Sequence, residues 1–74
     1  MIIATIDAIE GKRTLEVYGL VFGREPSPDP ALARMVQSAE EMGANAVVGV
    51  RFASGPPGVL AYGTAVRVEQ AAPG

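Results

Sequence analysis

The sequence AVVGVRFASGPPGVLAYGTAVRVE, residues 46–69, contains the two strongest strand patterns of the chain. Residues 46–53 and 59–69 are rich in β-branched and aromatic side chains, and the turn-forming residues 54–58, Ser-Gly-Pro-Pro-Gly, separate them. This order predicts a β-hairpin. If residue 53 pairs with residue 59, the even-numbered side chains lie on one face and the odd-numbered side chains on the other.

The two faces of this hairpin differ in the size of their side chains. The even-numbered face is mostly large and apolar, and we expect it to receive a helix and form the core. The odd-numbered face carries Gly49 and Gly63 among small apolar residues, with Arg51 and Arg67 towards its ends. One helix covers only one side of a sheet, so we expect a second subunit on the odd-numbered face. Glycines that mark β-bulges are the alternative explanation.

Two further strands are predicted upstream, at residues 2–6 and 13–23, on either side of the turn at residues 10–12. Matching the parity of the hairpin places Gly19 on the odd-numbered face, and Tyr18, Leu20 and Phe22 in the core. Glu16 is then the one charged side chain on the core side of the sheet.

A helix is predicted between the proline-rich residues 24–30 and Gly43. Two starts fit, Ser27 as N-cap before Pro28 and Asp29 as N-cap before Pro30. Gly43 suits a left-handed residue after the last turn, so the helix should end at Met42. An apolar stripe recurs at helical spacing, at Leu32, Met35, Val36, Ala39 and Met42.

The element order β-β-α-β-β predicts an α+β fold with two layers, one helix packed on a small antiparallel sheet. We expect a single domain at residues 1–69 and a frayed C-terminal tail at residues 70–74.

Composition excludes several classes of function for this 74-residue chain. It has no cysteine and no histidine, which excludes a disulfide framework, a Cys/His zinc site, a cysteine nucleophile and an imidazole base. The net charge of −2 and the four aromatic residues argue against nucleic acid as a partner. The longest uncharged stretch, residues 52–66, is broken by Gly-Pro-Pro-Gly, so we expect no membrane span, and the N-terminus lacks the pattern of a signal peptide. We expect a cytoplasmic protein.

Four blocks of sequence resemble the YbjQ-like family, whose members are described as heavy-metal-binding domains. The blocks are IEGK at residues 9–12, YGLVFG at 18–23, MGANAVVGVRF at 42–52 and YGTAV at 62–66. The resemblance covers Ile2 to Val68, and residues 24–29 stand where family members carry a long helical insert. The resemblance implies a dodecin-like subunit with an antiparallel sheet, in which the final strand lies between the other two strands. It also implies that the subunits assemble into a ring-like pentamer.

The metal function that the resemblance implies finds little support in the residues. Soft metals prefer thiolate and imidazole ligands, which are absent, and Met35 and Met42 belong to the apolar stripe as core residues. The adjacent carboxylates Glu40 and Glu41 point in different directions on a helix, so no metal ligand is assigned and the cofactor is left open. Carboxylates from several subunits around a symmetry axis are the alternative that remains.

No residue pattern indicates catalysis, because no serine has an imidazole to activate it and the single lysine, Lys12, lies in an exposed turn. The candidate ligand or interface residues are Glu16, Gly19, Gly49, Arg51, Gly63 and Arg67. We expect a homo-oligomeric module that holds a small ligand or ion between subunits. The alternatives are a cation-binding protein that uses interface carboxylates, and an enzyme whose site combines Glu16, Arg51 and Arg67 across an interface.

Overall fold

The computed structural model describes residues 1–7, 9, 11–55 and 58–69. These residues form β1 (Ile2–Ile3), β2 (Thr14–Glu25), α1 (Pro28–Glu41), β3 (Ala46–Gly55) and β4 (Gly58–Val68). The hairpin strands are longer than predicted, since Gly55 pairs with Gly58. Glu10 in the predicted turn, the loop residues Pro56 and Pro57, and the predicted tail at 70–74 lie outside the described residues.

The four strands form one sheet in the order β1-β3-β4-β2, with α1 packed on one side. The predicted α+β, two-layer fold is therefore confirmed, and so is the interior position of the final strand. The pairs β2–β4 and β3–β4 are antiparallel as predicted, whereas β1 pairs with β3 in parallel. The sheet is thus mixed, and β2 is a long edge strand that pairs, among the described strands, with β4 alone.

The ends of α1 follow from local sequence. Ser27 is the N-cap in extended conformation and Pro28 is the first helical residue, which selects the first of the two predicted starts. The helix ends at Glu41 with Met42 as the C-cap, one residue before the predicted end. Gly43 has φ +90°, and the amides of Gly43 and Ala44 donate to the carbonyls of Glu40 and Ala39 at 3.0 and 3.1 Å. This is a Schellman motif. Within the described residues, α1 is neither long nor apolar enough to cross a membrane.

The side of the sheet that receives α1 is the opposite of the one predicted. Ala31, Met35 and Ala39 of α1 are fully buried, and they pack in one cluster with odd-numbered residues of the sheet such as Ala61 and Ala65. The small residues are the physical reason, because they let the helix backbone approach the strands closely. A Cβ atom added to Gly23 would lie 2.6 Å from the backbone nitrogen of Met35. The chain's own helix therefore covers the face that we expected a second subunit to cover.

A β-bulge in β3 explains why the odd-numbered residues of this strand do not all lie on the same face of the sheet. Ala46 to Val48 pair with β4 in the predicted register, but the register shifts by one residue between Val48 and Arg51. Gly49 has φ +63° within the shift, where glycine avoids the strain of a side chain. Beyond the bulge, Phe52 pairs with Ala61 on the helix side, not with Leu60 as predicted. The alternative explanation of the strand glycines, that they mark β-bulges, is therefore correct for Gly49.

Irregular pairing in β2 has a similar effect on the residues predicted for the core. The register shifts between Val17 and Gly19, so Tyr18 packs against the cluster beneath α1, while Leu20 and Phe22 face the other side of the sheet and are exposed. The prediction that Leu20 and Phe22 belong to the core is wrong.

The segment before β2 covers part of the sheet side that faces away from α1. Ala4 and Ile9 pack on a second buried cluster of Ala46, Val48, Val66 and Val68. The amide of Ala4 donates to Val47 O at 2.9 Å, and the amide of Gly49 donates to Ile6 O at 2.8 Å. The predicted strand at residues 2–6 therefore follows β3, although regular pairing covers only Ile2–Ile3.

The two methionines predicted for the core behave differently. Met35 is fully buried beneath α1, as predicted, but Met42 is 46 % exposed. Met42 is the C-cap residue, after the last helical turn, which accounts for its exposure.

Candidate functional site

The side of the sheet that faces away from α1, here called the outer face, carries large apolar side chains in cross-strand pairs. Phe22 pairs with Tyr62, and Leu20 pairs with Thr64. Arg24 pairs with Leu60 at the end next to the β3–β4 hairpin. Directly opposed side chains on antiparallel strands lie close together, so these pairs form one continuous surface.

Strand β2 exposes an unusual amount of apolar side chain for an edge strand. Leu15, Val17, Leu20 and Phe22, here called the β2 row, are 51 %, 65 %, 66 % and 60 % exposed. On its open side the strand has no strand partner among the described residues. An unpaired edge with exposed apolar side chains is a template for association with another chain.

A shallow cleft of about 370 Å³ lies on the outer face. Its lining combines four apolar or aromatic side chains with one cation, namely Leu20, Phe22, Leu60, Tyr62 and Arg24. Ligand sites typically have such a lining, mostly apolar with a few polar groups that orient the ligand.

A second cavity, of about 480 Å³, lies between the open side of β2 and α1. Arg34 and Ser38 of α1 line it together with residues 20–25 of β2 and Met42. The Arg34 guanidinium contacts the Glu25 carboxylate at 2.7 Å, so these two charges compensate each other. Arg24 lines both cavities, and it has no carboxylate partner among the residues that the structure describes.

Two of the predicted site residues, Glu16 and Arg67, occupy opposed positions on the side of the sheet that carries α1. Arg67 donates to the carbonyl oxygen of Gly43 at 3.0 Å, just after the end of α1. A cation at this end of a helix is favourable because the last carbonyl groups carry partial negative charge. This geometry gives Arg67 a structural task in the single subunit.

Arg51 lies apart from that pair. It is opposite Tyr62 on the outer face, and its guanidinium donates to the carbonyl oxygens of Thr5 and Val50. It thereby fastens the N-terminal segment to β3. The sheet separates Arg51 from Glu16 and Arg67, so one subunit does not bring these three side chains together.

The predicted glycines lie at three different points of the sheet. Gly49 forms the bulge in β3, and Gly19 has φ +125° at the shift in β2. Gly63 is buried, and a Cβ atom there would lie 2.8 Å from Val47 Cγ1. Gly63 therefore allows close packing within the subunit, beneath α1.

The cleft was missed from sequence because its large side chains, Leu20, Phe22, Leu60 and Tyr62, were assigned to the core. Arg24 was assigned to the proline-rich loop before the helix, whereas the structure places it in β2. A usable signal was present, since Gly23, Ala61, Gly63 and Ala65 offer a helix a closer approach than Leu20, Phe22, Leu60 and Tyr62 do. A comparison of side-chain sizes on the two faces predicts that α1 packs on the small residues and that the large residues lie on the outer face.

The donor groups of the chain do not fit the heavy-metal site that the family resemblance implies. Cysteine and histidine are absent from the sequence, and the described residues contain no group of three or more acidic side chains placed to hold an ion. The Met35 thioether is enclosed in the core.

Comparisons with known proteins agree on one family. A family model described as "Putative heavy-metal-binding", YbjQ_1, matches residues 26–69. The UPF0145 protein MJ1170 of Methanocaldococcus jannaschii is 38 % identical, over 95 % of this chain and 94 % of its own length. A UPF0145 protein of Methanosarcina acetivorans is 34 % identical, over 92 % of this chain and 97 % of its own length. A UPF0145 protein of Thermotoga petrophila is 30 % identical, over 95 % of this chain and 99 % of its own length.

The last two alignments extend over 103 and 105 positions, whereas this chain has 74 residues, so these relatives contain additional sequence. The additional length agrees with the expectation that family members carry an insert where this chain has residues 24–29. The match of the family model to more than half of the residues, together with these relatives, establishes that the chain belongs to the YbjQ-like family.

Proposed function

We propose that this chain is a non-enzymatic module that assembles with copies of itself and holds a small ligand or ion between subunits. Its partners would be copies of the chain and that ligand or ion, with neither nucleic acid nor a membrane, in the cytoplasm. The observation that carries the proposal is the β2 row on the open edge of the sheet.

The energy available from the β2 row supports association. Complete burial of a Val, Leu or Phe side chain contributes about 1.5–3 kcal/mol. Because each of the four is half to two-thirds exposed, a partner that covered them would recover roughly 1–2 kcal/mol per side chain. The total, about 4–8 kcal/mol for one subunit, is comparable with the lower estimates of the cost of association.

A second apolar patch supports a head-to-tail arrangement. Met1, Ile2, Ile3 and Ile6, here called the N-terminal patch, are 37 % to 59 % exposed on the β1 side of the sheet, at the edge opposite β2. Different patches at opposite edges suit a heterologous interface, which closes into a ring when the rotation between subunits allows it. This arrangement is compatible with the five-membered ring that we favour from the family resemblance.

Sedimentation and native mass spectrometry of the purified chain test the proposal. We expect a defined species with several times the mass of the 7.6 kDa chain, five times for the favoured ring. Leu20→Lys should dissociate this species, because a charged group on the β2 row would be buried against the neighbour. Phe52→Lys is the matched control, since Phe52 is 50 % exposed but lies on the helix side of the hairpin. It should leave the mass unchanged.

Mixing two variants distinguishes head-to-tail contact from contact between identical patches. Leu20→Lys and Ile6→Lys should each be monomeric, but an equimolar mixture should form a heterodimer through the one intact pair of patches. A wild-type chain that is monomeric at micromolar concentration would refute self-association. A metal retained in stoichiometric amount in the native mass spectrum would favour the alternative, cation binding by interface carboxylates.

A further inference from the structure

We propose that the outer-face cleft binds a small carboxylate with a flat apolar body, and that Arg24 anchors the carboxylate group. This deepens the proposed function by naming the ligand class. It rests on that function in one respect: Leu20 and Phe22 belong to both the cleft and the β2 row, so a ligand and a neighbouring subunit would share the cover of these two side chains.

The first argument is the partnering of the basic residues. Among the described residues, every basic side chain except that of Arg24 donates to a carboxylate or a carbonyl group. The pairs are Lys12 with Glu69 O, Arg13 with Glu69, Arg34 with Glu25, Arg51 with Thr5 O and Val50 O, and Arg67 with Gly43 O. Within the part of the chain that the structure describes, Arg24 is thus the basic residue whose guanidinium makes no hydrogen bond to the protein.

The second argument is the position of Arg24 at an apolar surface. Its neighbours in the cleft are Leu20, Phe22, Leu60 and Tyr62, so no carboxylate of the cleft competes for the guanidinium. An arginine presents a planar fork that matches a carboxylate through two parallel hydrogen bonds. This geometry favours a planar anionic group at the Arg24 end.

The third argument is the character of the cleft floor, which favours a ligand with an apolar body over an inorganic anion. Phe22 and Tyr62 are opposed on neighbouring strands and present aromatic surface next to Arg24. A flat ring stacks on such side chains, and a carboxylate on that ring then reaches the guanidinium. The volume of about 370 Å³ lies within the range of small-molecule sites.

The experiment uses 2-naphthoate as the probe and neutral 2-naphthamide as its control. Binding to the ¹⁵N-labelled wild-type chain is followed by amide chemical shifts at neutral pH. We expect saturable binding of 2-naphthoate, with the largest shifts at residues 20–24 and 60–62. Loss of the charged hydrogen bonds should weaken binding by about tenfold or more for 2-naphthamide.

Two variants assign the anion anchor. Arg24→Met keeps an unbranched apolar stem but removes the guanidinium, and it should lower the affinity for 2-naphthoate by about tenfold or more, to that for 2-naphthamide. Arg13→Met is the matched control, because Arg13 is an exposed arginine outside the cleft, and it should bind like the wild type. The proposal is overturned if Arg24→Met binds 2-naphthoate as tightly as the wild type, if the two probes bind equally, or if no saturation occurs.

The same samples separate this proposal from the proposed function. Sedimentation of wild type and Arg24→Met reports whether each assembles, independently of the probe. Assembly without charge-selective binding would overturn the cleft proposal alone. Charge-selective binding to a monomeric wild-type chain would support the cleft proposal and refute self-association.

Discussion

Replacement of Gly23 by alanine tests how closely α1 approaches the sheet. Gly23 lies directly beneath the helix, and an added Cβ atom would lie 2.6 Å from Met35 N and 2.9 Å from Arg34 Cβ, with Ala31 O also in contact. Its φ is not positive, so the backbone itself accepts alanine. The whole effect of Gly23→Ala therefore comes from steric contact.

The magnitude follows from the kind of atom that the methyl group meets. Overpacking a core costs about 1–3 kcal/mol, and occasionally more. Two of the contacts are with helix backbone, which moves only if α1 moves as a whole, so we expect a loss of about 3 kcal/mol or more. A 74-residue domain has a free energy of unfolding of roughly 4–11 kcal/mol, so this loss is a large fraction of the total. It corresponds to a fall in Tm of about 12–24 °C.

Urea denaturation followed by circular dichroism, at matched protein concentration, measures this change. Gly55→Ala is the control, because Gly55 also has no positive φ and a Cβ atom there would meet no described residue beyond its chain neighbours within 4 Å. Its stability should stay within about 0.5 kcal/mol of the wild type. Equal urea midpoints for the two variants would refute the close packing of α1 on Gly23, and with it the explanation of why the helix selects the face with small residues.

Four further substitutions test other parts of the fold. Met35→Ala should lower the free energy of unfolding by about 2–5 kcal/mol, because Met35 is fully buried. Met42→Ala should change the free energy of unfolding by less than about 0.5 kcal/mol, because Met42 is exposed. Equal urea midpoints for the two variants would contradict this contrast. Asn45→Ala removes two hydrogen bonds, at 2.8 and 3.0 Å, to the backbone of Val68. We expect the free energy of unfolding to fall by about 1–3 kcal/mol and the Val68 amide to exchange hydrogen faster. Unchanged exchange would contradict a stabilising role for Asn45. Gly49→Ala should cost about 1–2 kcal/mol in thermal unfolding because φ is +63°, and a neutral result would argue against the bulge.

Local patterns along the chain determined the elements and several of their ends. The proline and glycine signals located α1 to within one residue at its C-terminus, and the β-branched runs located β2, β3 and β4. These predictions succeed because capping and turn formation depend on neighbouring residues. The absence of cysteine and histidine likewise constrains the chemistry of the chain whatever its fold.

The tertiary structure alone decided which side of the sheet is the core and where the candidate site lies. The choice depends on how near α1 comes to the strands, a contact between residues distant in sequence, and it favours the small side chains around Gly23 and Gly63. The bulge at Gly49 also changes the alternation of faces, and strand parity alone does not reveal where such a shift occurs. For these reasons Phe22, which parity assigned to the core, and Arg24, which was assigned to the loop before the helix, are the residues that define the candidate site.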